Sequence, residues 1–266
     1  MKKSFLNLSV FVISICLCAS CSLLSSAGLT SKGLPSTQAP DKLTSTTANS
    51  AVNVDHALWD ELLKKHVKSN GMVDYKGFKN DREKLNKYLE MLSSQEPTKD
   101  WSVQEQLAYY INLYNAYTVD LILKNYPVKS IKDIKGAWTN DFVKVGDKTI
   151  SLGGIENSIL RKMNEPRIHF AINCASMSCP RLMNEAYTAA HINEQLDKAA
   201  TEFINSDKND ISKNSAKLSS IFDWYKKDFT ENGTVIDYVN QFSNTKINSG
   251  VSITYKNYDW NLNESK

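Results

Sequence analysis

Apolar residues recur at helical spacing through most of the chain after residue 52. The pattern predicts amphipathic helices over residues 54–67, 85–92, 191–205 and 235–242. Residues 103–125 are apolar on nearly every face, which is typical of a buried central helix. Ser102 and Glu105 form the pattern of a capping box at the start of that helix.

Strand-like patterns are shorter and fewer than helical ones. Residues 142–145 and 148–151 flank Gly146-Asp147 and predict a hairpin. Alternating residues 167–173 predict a core strand, and residues 251–255 predict a last strand. Further helices are predicted over residues 152–163, 181–186 and 219–229. Because helices dominate, we expect an α+β fold: a helix-rich single domain packed on a small, mostly antiparallel sheet.

The first fifty residues have the pattern of an export signal and a tether. Lys2 and Lys3 precede a mainly apolar run over residues 5–17, which is too short to span a bilayer. The following Cys18-Ala19-Ser20-Cys21 resembles a bacterial lipobox, although cleavage after Ser20 without lipid is the alternative. We predict a signal peptide over 1–20, a lipidated Cys21 with a flexible tether over 21–51, and a globular domain over 52–266.

The predicted signal peptide and lipid anchor indicate that the protein lies in the cell envelope. The resemblance to bacterial lipoproteins implies a lipid anchor at Cys21, favouring the outer membrane with the domain facing the periplasm. Without Lys2 and Lys3 the formal net charge falls from +3 to +1, which argues against general nucleic-acid binding. The chain has no phosphate loop, dinucleotide fingerprint or zinc-helix motif, and its four histidines lack paired ligand spacing. We therefore predict no cofactor and no metal.

Cys174 and Cys179 would be the only thiols left once the signal peptide is removed and Cys21 is lipidated. Both follow the predicted strand. On that strand His169, Ala171 and Asn173 would share one face, which leads toward the two cysteines. Four interpretations stay open: a disulfide, which an oxidising compartment favours; a nucleophilic cysteine paired with a histidine; a redox dithiol; and two inert thiols. His66 and His191 are the reserve histidines.

A helix predicted after Pro180 would lower the pKa of a neighbouring thiol. Cys179 would lie at or near its N-cap, and Arg181 would add positive potential. Free N–H groups of that helix would also hold an oxyanion.

Several longer runs resemble one family. They are His169–Pro180, Glu105–Tyr117, Gly71–Tyr75, Leu152–Arg161, Ser220–Tyr225 with Asp228-Phe229, and Tyr258–Asn263. Together they look like the domain of unknown function family 547 over nearly all of residues 55–263. The family has no assigned activity, so the resemblance implies little chemistry. Its plant members often lack a cysteine at the Cys179 position, which makes Cys174 the better candidate nucleophile.

Other polar residues in these runs have a structural and a functional interpretation. Asn112 and Asn115 lie on the most apolar helix, where they either tie loops to it or face a pocket. Glu156 either caps its helix and pairs with Arg161, or orients His169 or acts as a general base. Ser176 and Arg181, beside the thiols, complete the predicted substrate-binding set with Asn112 and Asn115.

Two functions follow from these residues. The first is a cysteine-nucleophile hydrolase or transferase acting on an amide or thioester of a small molecule or peptide, with a fold distantly like papain or transglutaminase. Cys174 would attack, His169 would take its proton, and Glu156 or Asn115 would orient the histidine. One feature opposes such folds, because here the histidine precedes the cysteine. The second function is a non-catalytic ligand- or partner-binding lipoprotein domain with a Cys174–Cys179 disulfide.

Overall fold

A computed structural model describes residues 30–265. Their helices are α1 (Ala57–His66), α2 (Tyr75–Asn80), α3 (Arg82–Ser93), α4 (Val103–Asn125), α5 (Leu152–Gly154), α6 (Ile168–Ala171), α7 (Ile192–Ile204), α8 (Ile221–Trp224), α9 (Lys226–Phe229) and α10 (Val235–Phe242). The strands are β1 (Val143–Val145), β2 (Lys148–Ile150), β3 (Asp210–Ser212), β4 (Ser215–Leu218) and β5 (Ile253–Tyr255). A 3-10 turn covers Ile131–Asp133.

Helix α4 is the centre of the domain, as its all-round apolar pattern predicts. Every residue from Gln104 to Leu123 is buried. Its N-cap is Ser102, whose hydroxyl accepts from the Glu105 N–H at 3.2 Å. Helices α2, α3 and α7 and the segment that begins at α5 contact it. The surrounding elements are therefore all placed relative to one buried helix.

The segment after β2 is one helical stretch with three geometries. It starts as α5, widens to a π-helix over Ile155–Ile159, and tightens to a 3-10 helix over Leu160–Met163. The sequence predicts a single helix over 152–163. The π-turn carries Glu156 in its first turn, and such bulges are frequent at functional sites.

Two small sheets complete the fold. Strands β1 and β2 form the predicted antiparallel hairpin, with Val143 opposite Ile150. In the second sheet β4 pairs antiparallel with β3 and parallel with β5. The helix-rich α+β prediction is confirmed, although β3 and β4 are not foreseen from the sequence.

The strand predicted over residues 167–173 is wrong. Residues Ile168–Ala171 form the short helix α6, and Ile172, which follows it, is extended. The N–H groups of Ile168 and His169 donate to the carbonyls of Glu165 and Pro166, so the chain coils after the proline. All four α6 side chains are buried, so the apparent alternation does not reflect an inner and an outer face.

The helix predicted over residues 181–186 is also wrong, and with it the N-cap position of Cys179. Side chains from outside this stretch form hydrogen bonds with backbone groups that would pair with one another in a helix. Asn173 donates to the Pro180 carbonyl at 2.7 Å, and the Ala186 N–H donates to Asp60 at 3.1 Å. Tertiary contacts have replaced the local helical bonds in this stretch. The helix predicted over 219–229 is divided into α8 and α9.

The predicted tether differs from the structure where it is described. Residues 30–51 lie along the domain, with Leu34 and Leu43 buried in its core. The Tyr110 hydroxyl donates to the Pro35 carbonyl at 3.0 Å, and the Ala39 N–H donates to the Met163 carbonyl at 2.7 Å. Two isolated leucines and repeated backbone bonds hold a chain whose composition is otherwise typical of a flexible linker. We call residues 30–51 the N-terminal arm.

The predicted signal peptide and Cys21 lie outside the described residues. Within residues 30–265, no helix is both long enough and apolar enough to cross a membrane.

Candidate functional site

One cavity brings together three residues that the sequence analysis selects for catalysis. It has a volume of about 340 Å³ and contains Cys174, His169 and Glu156. The π-helical segment, the loop after α6, helix α8 and the C-terminal segment border it. Its remaining lining is mostly aromatic or apolar: Tyr114, Ile172, Pro180, Ile221, Trp138, Trp224, Tyr225, Tyr258 and Trp260. We call it the thiol cavity.

The sulfur of Cys174 lies among three groups that can each donate a hydrogen bond to its ionised form. Its Sγ is 2.9 Å from the Cys179 Sγ, 3.2 Å from the Ser176 hydroxyl and 3.3 Å from the Tyr258 hydroxyl. The Cys179 S–H bond lowers the pKa of Cys174 most. Burial and the Glu156 charge oppose it, while the two hydroxyls add to the lowering. These bonds favour the thiolate form of a side chain that remains partly exposed.

Cys179 is the opposite kind of thiol. It is buried, and burial raises its pKa well above the ordinary value, with the bond to Cys174 adding to the rise. Both cysteines are free in the structure. The expected helix dipole is absent at this position, so donor side chains, rather than a helix N-terminus, stabilise the negative sulfur.

Asn115 and Asn173 hold the cysteine loop in place. The Asn115 amide donates to the Ala171 carbonyl at 3.0 Å and accepts from the Asn173 N–H at 2.8 Å. Asn173 in turn accepts from the Ala175 N–H at 2.9 Å. Ala175 has φ 58°, a left-handed conformation that costs an alanine about 1 kcal/mol or more. The residue after Cys174 is thus kept in a strained conformation by side chains around it.

The predicted substrate-binding residues occupy different places. Both hydrogen-bonding groups of the Asn112 amide are used on the backbone of Tyr187, so Asn112 ties a loop to α4. Arg181 lies away from the thiol cavity, where it donates to the Ser69 carbonyl at 2.6 Å and pairs with Glu202. Ser176 alone of the set touches the reactive sulfur.

The C-terminal segment forms the other wall of the cysteine loop. The Met177 N–H donates to the Asn261 carbonyl at 2.8 Å, and the Ser178 N–H donates to the Asp259 carbonyl at 3.1 Å. The Asp259 N–H returns a bond to the Ser178 hydroxyl at 2.8 Å. These bonds position Tyr258 beside Cys174, a role that the sequence does not reveal.

His169 is held by Asp228, which the sequence analysis does not select. The His169 Nε2 is 2.8 Å from the Asp228 carboxylate. Arg161 donates hydrogen bonds to the same carboxylate from two nitrogens, at 2.6 and 2.9 Å. The ring also stacks on Tyr225, with centroids 4.0 Å apart. The expectation that Glu156 or Asn115 orients this histidine is wrong. Asp228 does so because α9 follows α8 against the cavity.

Burial and the neighbouring charges set the protonation states of His169 and Asp228. Burial lowers the pKa of His169 more than the Asp228 bond raises it, so the imidazole is neutral. Burial would raise the pKa of Asp228, but the bonds from Arg161 and His169 lower it far below its usual range. The His169 Nδ1 is buried and has no partner among residues 30–265, which leaves it available to exchange a proton.

Glu156 lies between two tyrosines in the thiol cavity. It accepts from the Tyr225 hydroxyl and, at 3.4 Å, from the Tyr114 hydroxyl. The Arg161 partner expected for it pairs with Asp228 instead. Burial raises the pKa of both tyrosines well above the ordinary value, so they remain protonated donors to the carboxylate.

Two features limit the chemistry. Within residues 30–265 no hydrogen bond joins His169 to Cys174, although both line the thiol cavity. No cluster of three or more His, Cys, Asp and Glu side chains in that part of the chain is arranged to hold a metal. His66 lies elsewhere with Asp81, and His191 is exposed before α7.

The fold and the cavity define an α+β domain in which a cysteine of lowered pKa shares a cavity with an aspartate-held histidine. Residues 98–204 match a family model described as "Protein of unknown function, DUF547". The match supports the resemblance noted from the sequence and includes Cys174, Cys179, His169 and Glu156, while Asp228 and Tyr258 lie beyond it. No curated protein and no solved structure matches the chain. The expected likeness to papain or transglutaminase folds therefore stays a prediction.

Proposed function

We propose that the protein is a cysteine-dependent hydrolase or transferase that accepts an acyl group on Cys174. The observation that carries the proposal is the Cys174 sulfur, which is partly exposed, lies among three potential donors, and shares one cavity with His169, the partner of Asp228. Because the surrounding groups lower the pKa of Cys174, they favour its thiolate form, which is the nucleophile in acyl transfer.

The chemistry runs in two steps. The Cys174 thiolate attacks the carbonyl carbon, the bond to the leaving group breaks, and a thioester with the protein forms. Water or an acceptor then attacks this thioester, giving up a proton to the neutral His169, and the Cys174 thiolate is released. Asp228 would steady the imidazolium formed in that second step, as a carboxylate does for a general-base histidine.

The neutral histidine favours a thioester over an amide as the donor. An amine leaving group requires a proton when the bond to carbon breaks, whereas a thiolate leaves without one. Burial lowers the pKa of His169, so the ring is poorly charged to supply that proton in the first step. The apolar walls formed by Ile172, Pro180 and Ile221 suit an uncharged acyl group.

The experiment uses the full chain with Cys16, Cys18 and Cys21 replaced by serine, which leaves Cys174 and Cys179 as the only thiols. A panel of acyl thioesters and matched amides is supplied, and intact mass and thiol release are followed. We expect an acyl adduct that maps to Cys174 and faster release from thioesters. Cys174→Ala should abolish both, while Lys217→Ala, on an exposed part of β4, should change neither.

The alternative is a binding domain without turnover, and the aromatic mouth of the cavity favours it. Trp224 is 47% exposed and packs with Tyr258 and Trp260. If donors bind equally to the parent chain and Cys174→Ala, and no adduct forms on Cys174 while iodoacetamide still labels it, the enzyme proposal fails. The binding function then stands.

We also propose that the protein is an outer-membrane lipoprotein facing the periplasm. The support is the order of Lys2-Lys3, the apolar run over 5–17 and the small residues before Cys21. Palmitate labelling of the wild-type chain should be lost in Cys21→Ser, and fractionation should place the wild-type chain with the outer membrane. A chain that is cleaved but unlabelled would contradict the anchor.

A further inference from the structure

The acyl chemistry above uses Cys179 only as a donor, yet the structure places its sulfur unusually close to Cys174. The two Sγ atoms are 2.9 Å apart, and the Cys174 N–H donates to the Cys179 Sγ at 2.9 Å. We propose that the Cys174–Cys179 pair reduces hydroperoxides, and that organic hydroperoxides are its substrate class. This second activity does not rest on the acyl-transfer proposal.

The two thiols differ in the way that such chemistry requires. Both cysteines line the thiol cavity, but Cys174 is partly exposed whereas Cys179 is buried. The donors around Cys174 lower its pKa, and burial raises the pKa of Cys179. A peroxide therefore meets the more acidic and more exposed sulfur of Cys174 first, and the less acidic sulfur of Cys179 lies 2.9 Å from it.

The loop that carries the two cysteines holds their sulfurs close enough to form a disulfide. A disulfide needs its sulfurs about 2.05 Å apart, so the sulfurs have less than ~1 Å to move. The backbone from Asn173 to Ser178 is anchored by Asn115 and by the C-terminal residues Asp259 and Asn261. Formation of the disulfide thus requires the two side chains to move while the loop backbone stays in place.

The reaction balances with the two thiols as the electron source. The Cys174 thiolate attacks the terminal peroxide oxygen, the O–O bond breaks, and the alkoxide leaves and takes a proton to become an alcohol. The product on the protein is a sulfenic acid. The Cys179 sulfur then attacks the Cys174 sulfur, the S–O bond breaks, and hydroxide leaves with the Cys179 proton as water. Two thiols become a disulfide, and an external dithiol reduces it again.

The cavity determines which peroxide is expected. Beyond the polar groups that contact the sulfur, its walls are mostly apolar or aromatic, and Trp224 and Trp260 lie at its mouth. An organic group attached to the peroxide would bury apolar surface there, which hydrogen peroxide cannot do. We therefore expect cumene hydroperoxide to oxidise the pair at least about tenfold faster than hydrogen peroxide, the factor that 1.4 kcal/mol of binding corresponds to.

The test follows intact mass in the chain with Cys16, Cys18 and Cys21 replaced by serine, after reduction and removal of the reductant, with no acyl donor present. One equivalent of cumene hydroperoxide should remove about 2 Da, the two hydrogens of the thiols, and dithiothreitol should restore them. In Cys179→Ser the sulfenic acid should persist, with a gain of about 16 Da that dimedone traps. Cys174→Ser should keep its mass.

Several outcomes would overturn the proposal. One is a parent chain whose mass is unchanged at doses that oxidise free cysteine. Another is direct progress to sulfinic or sulfonic acid in the parent chain. A third is a disulfide formed equally fast by hydrogen peroxide, which would remove the organic substrate class. Because no acyl donor is present, these results leave the acyl-transfer proposal untouched. Circular dichroism of each variant before oxidation checks that it is folded.

Discussion

At the scale of single residues, the site depends on donors that face one sulfur. The Tyr258 hydroxyl is 3.3 Å from the Cys174 Sγ and comes from a residue 84 positions later in the chain. Burial raises the pKa of Tyr258, and the neighbouring thiols add to the rise, so the phenol stays protonated and donates. A side chain that is distant in sequence therefore adds to the lowering of the Cys174 pKa.

This arrangement predicts a pH profile for Cys174. The rate of alkylation by iodoacetamide should rise with a midpoint below that of a free cysteine peptide, since the donors lower the pKa of Cys174. Tyr258→Phe removes one donor and should move the midpoint upward. A midpoint at or above the peptide's value in the parent chain would contradict the three-donor description.

His56 gives a second pH effect, on stability. Burial lowers its pKa from 6.5 to about 4, while Asp55 opposes the shift. The folded state therefore binds the proton more weakly than the unfolded state, so stability is complete above pH ~6.5 and falls as the pH drops toward 4. The loss should be on the order of 3 kcal/mol at pH 4, at about 1.4 kcal/mol per pKa unit.

Urea unfolding at pH 7 and pH 4.5 measures this loss. His56→Gln keeps a polar partner for the Tyr88 hydroxyl, 2.7 Å from the His56 Nδ1, and should show a smaller drop in unfolding free energy. The exposed His191 provides the matched control, and His191→Gln should retain the full drop. The buried His169, whose pKa is also lowered, contributes in the same direction in all three proteins.

At the scale of elements, irregular segments position the site more than helices do. The cysteine loop, the C-terminal segment and the N-terminal arm all depend on bonds to distant backbone. Helix α4 supplies the fixed reference, because Asn115 on its buried face holds the start of the cysteine loop. Segments with few local bonds are thus ordered by a rigid neighbour.

The N-terminal arm should contribute measurably to stability. Leu34 and Leu43 are 4% and 5% exposed, so Leu34→Ala and Leu43→Ala should each lower the unfolding free energy by about 1–3 kcal/mol. Lys42→Ala, at an exposed neighbouring position, is the control and should stay within about 0.5 kcal/mol of the parent. If both leucine variants match the control in urea unfolding, the arm is a free tether as the sequence predicts.

At the scale of the whole molecule, the cavity is formed where sequence-distant parts meet. The π-helical segment, helices α6, α8 and α9, and the C-terminal segment surround it. Trp224, Trp260 and Trp138 form its aromatic mouth, and Lys132 lies 5.2 Å over the Trp260 ring. A mouth of this kind selects for bulk and apolar surface rather than for charge.

Trp224 should therefore affect large substrates only. Trp224→Ala should lower kcat/KM for bulky acyl thioesters about 3- to 10-fold, mainly through KM, by removing an aromatic contact of about 0.5–1.5 kcal/mol. Alkylation of Cys174 by iodoacetamide should be unchanged, because that reagent does not span the mouth. Equal losses for large and small reagents would place Trp224 in a structural role instead.

The sequence by itself determined the central helix, its Ser102 cap, the hairpin predicted over 142–151 and the α+β class, because these depend on periodicity and on turn residues close in the chain. It also predicted Cys174, His169 and Glu156 as candidate catalytic residues, and these three line one cavity. Only the tertiary structure decided that residues 168–171 coil, that no helix follows Pro180, and that Asp228 rather than Glu156 holds His169. The physical reason is range: the Ala186–Asp60 and His169–Asp228 bonds join residues 126 and 59 positions apart, which no local pattern encodes.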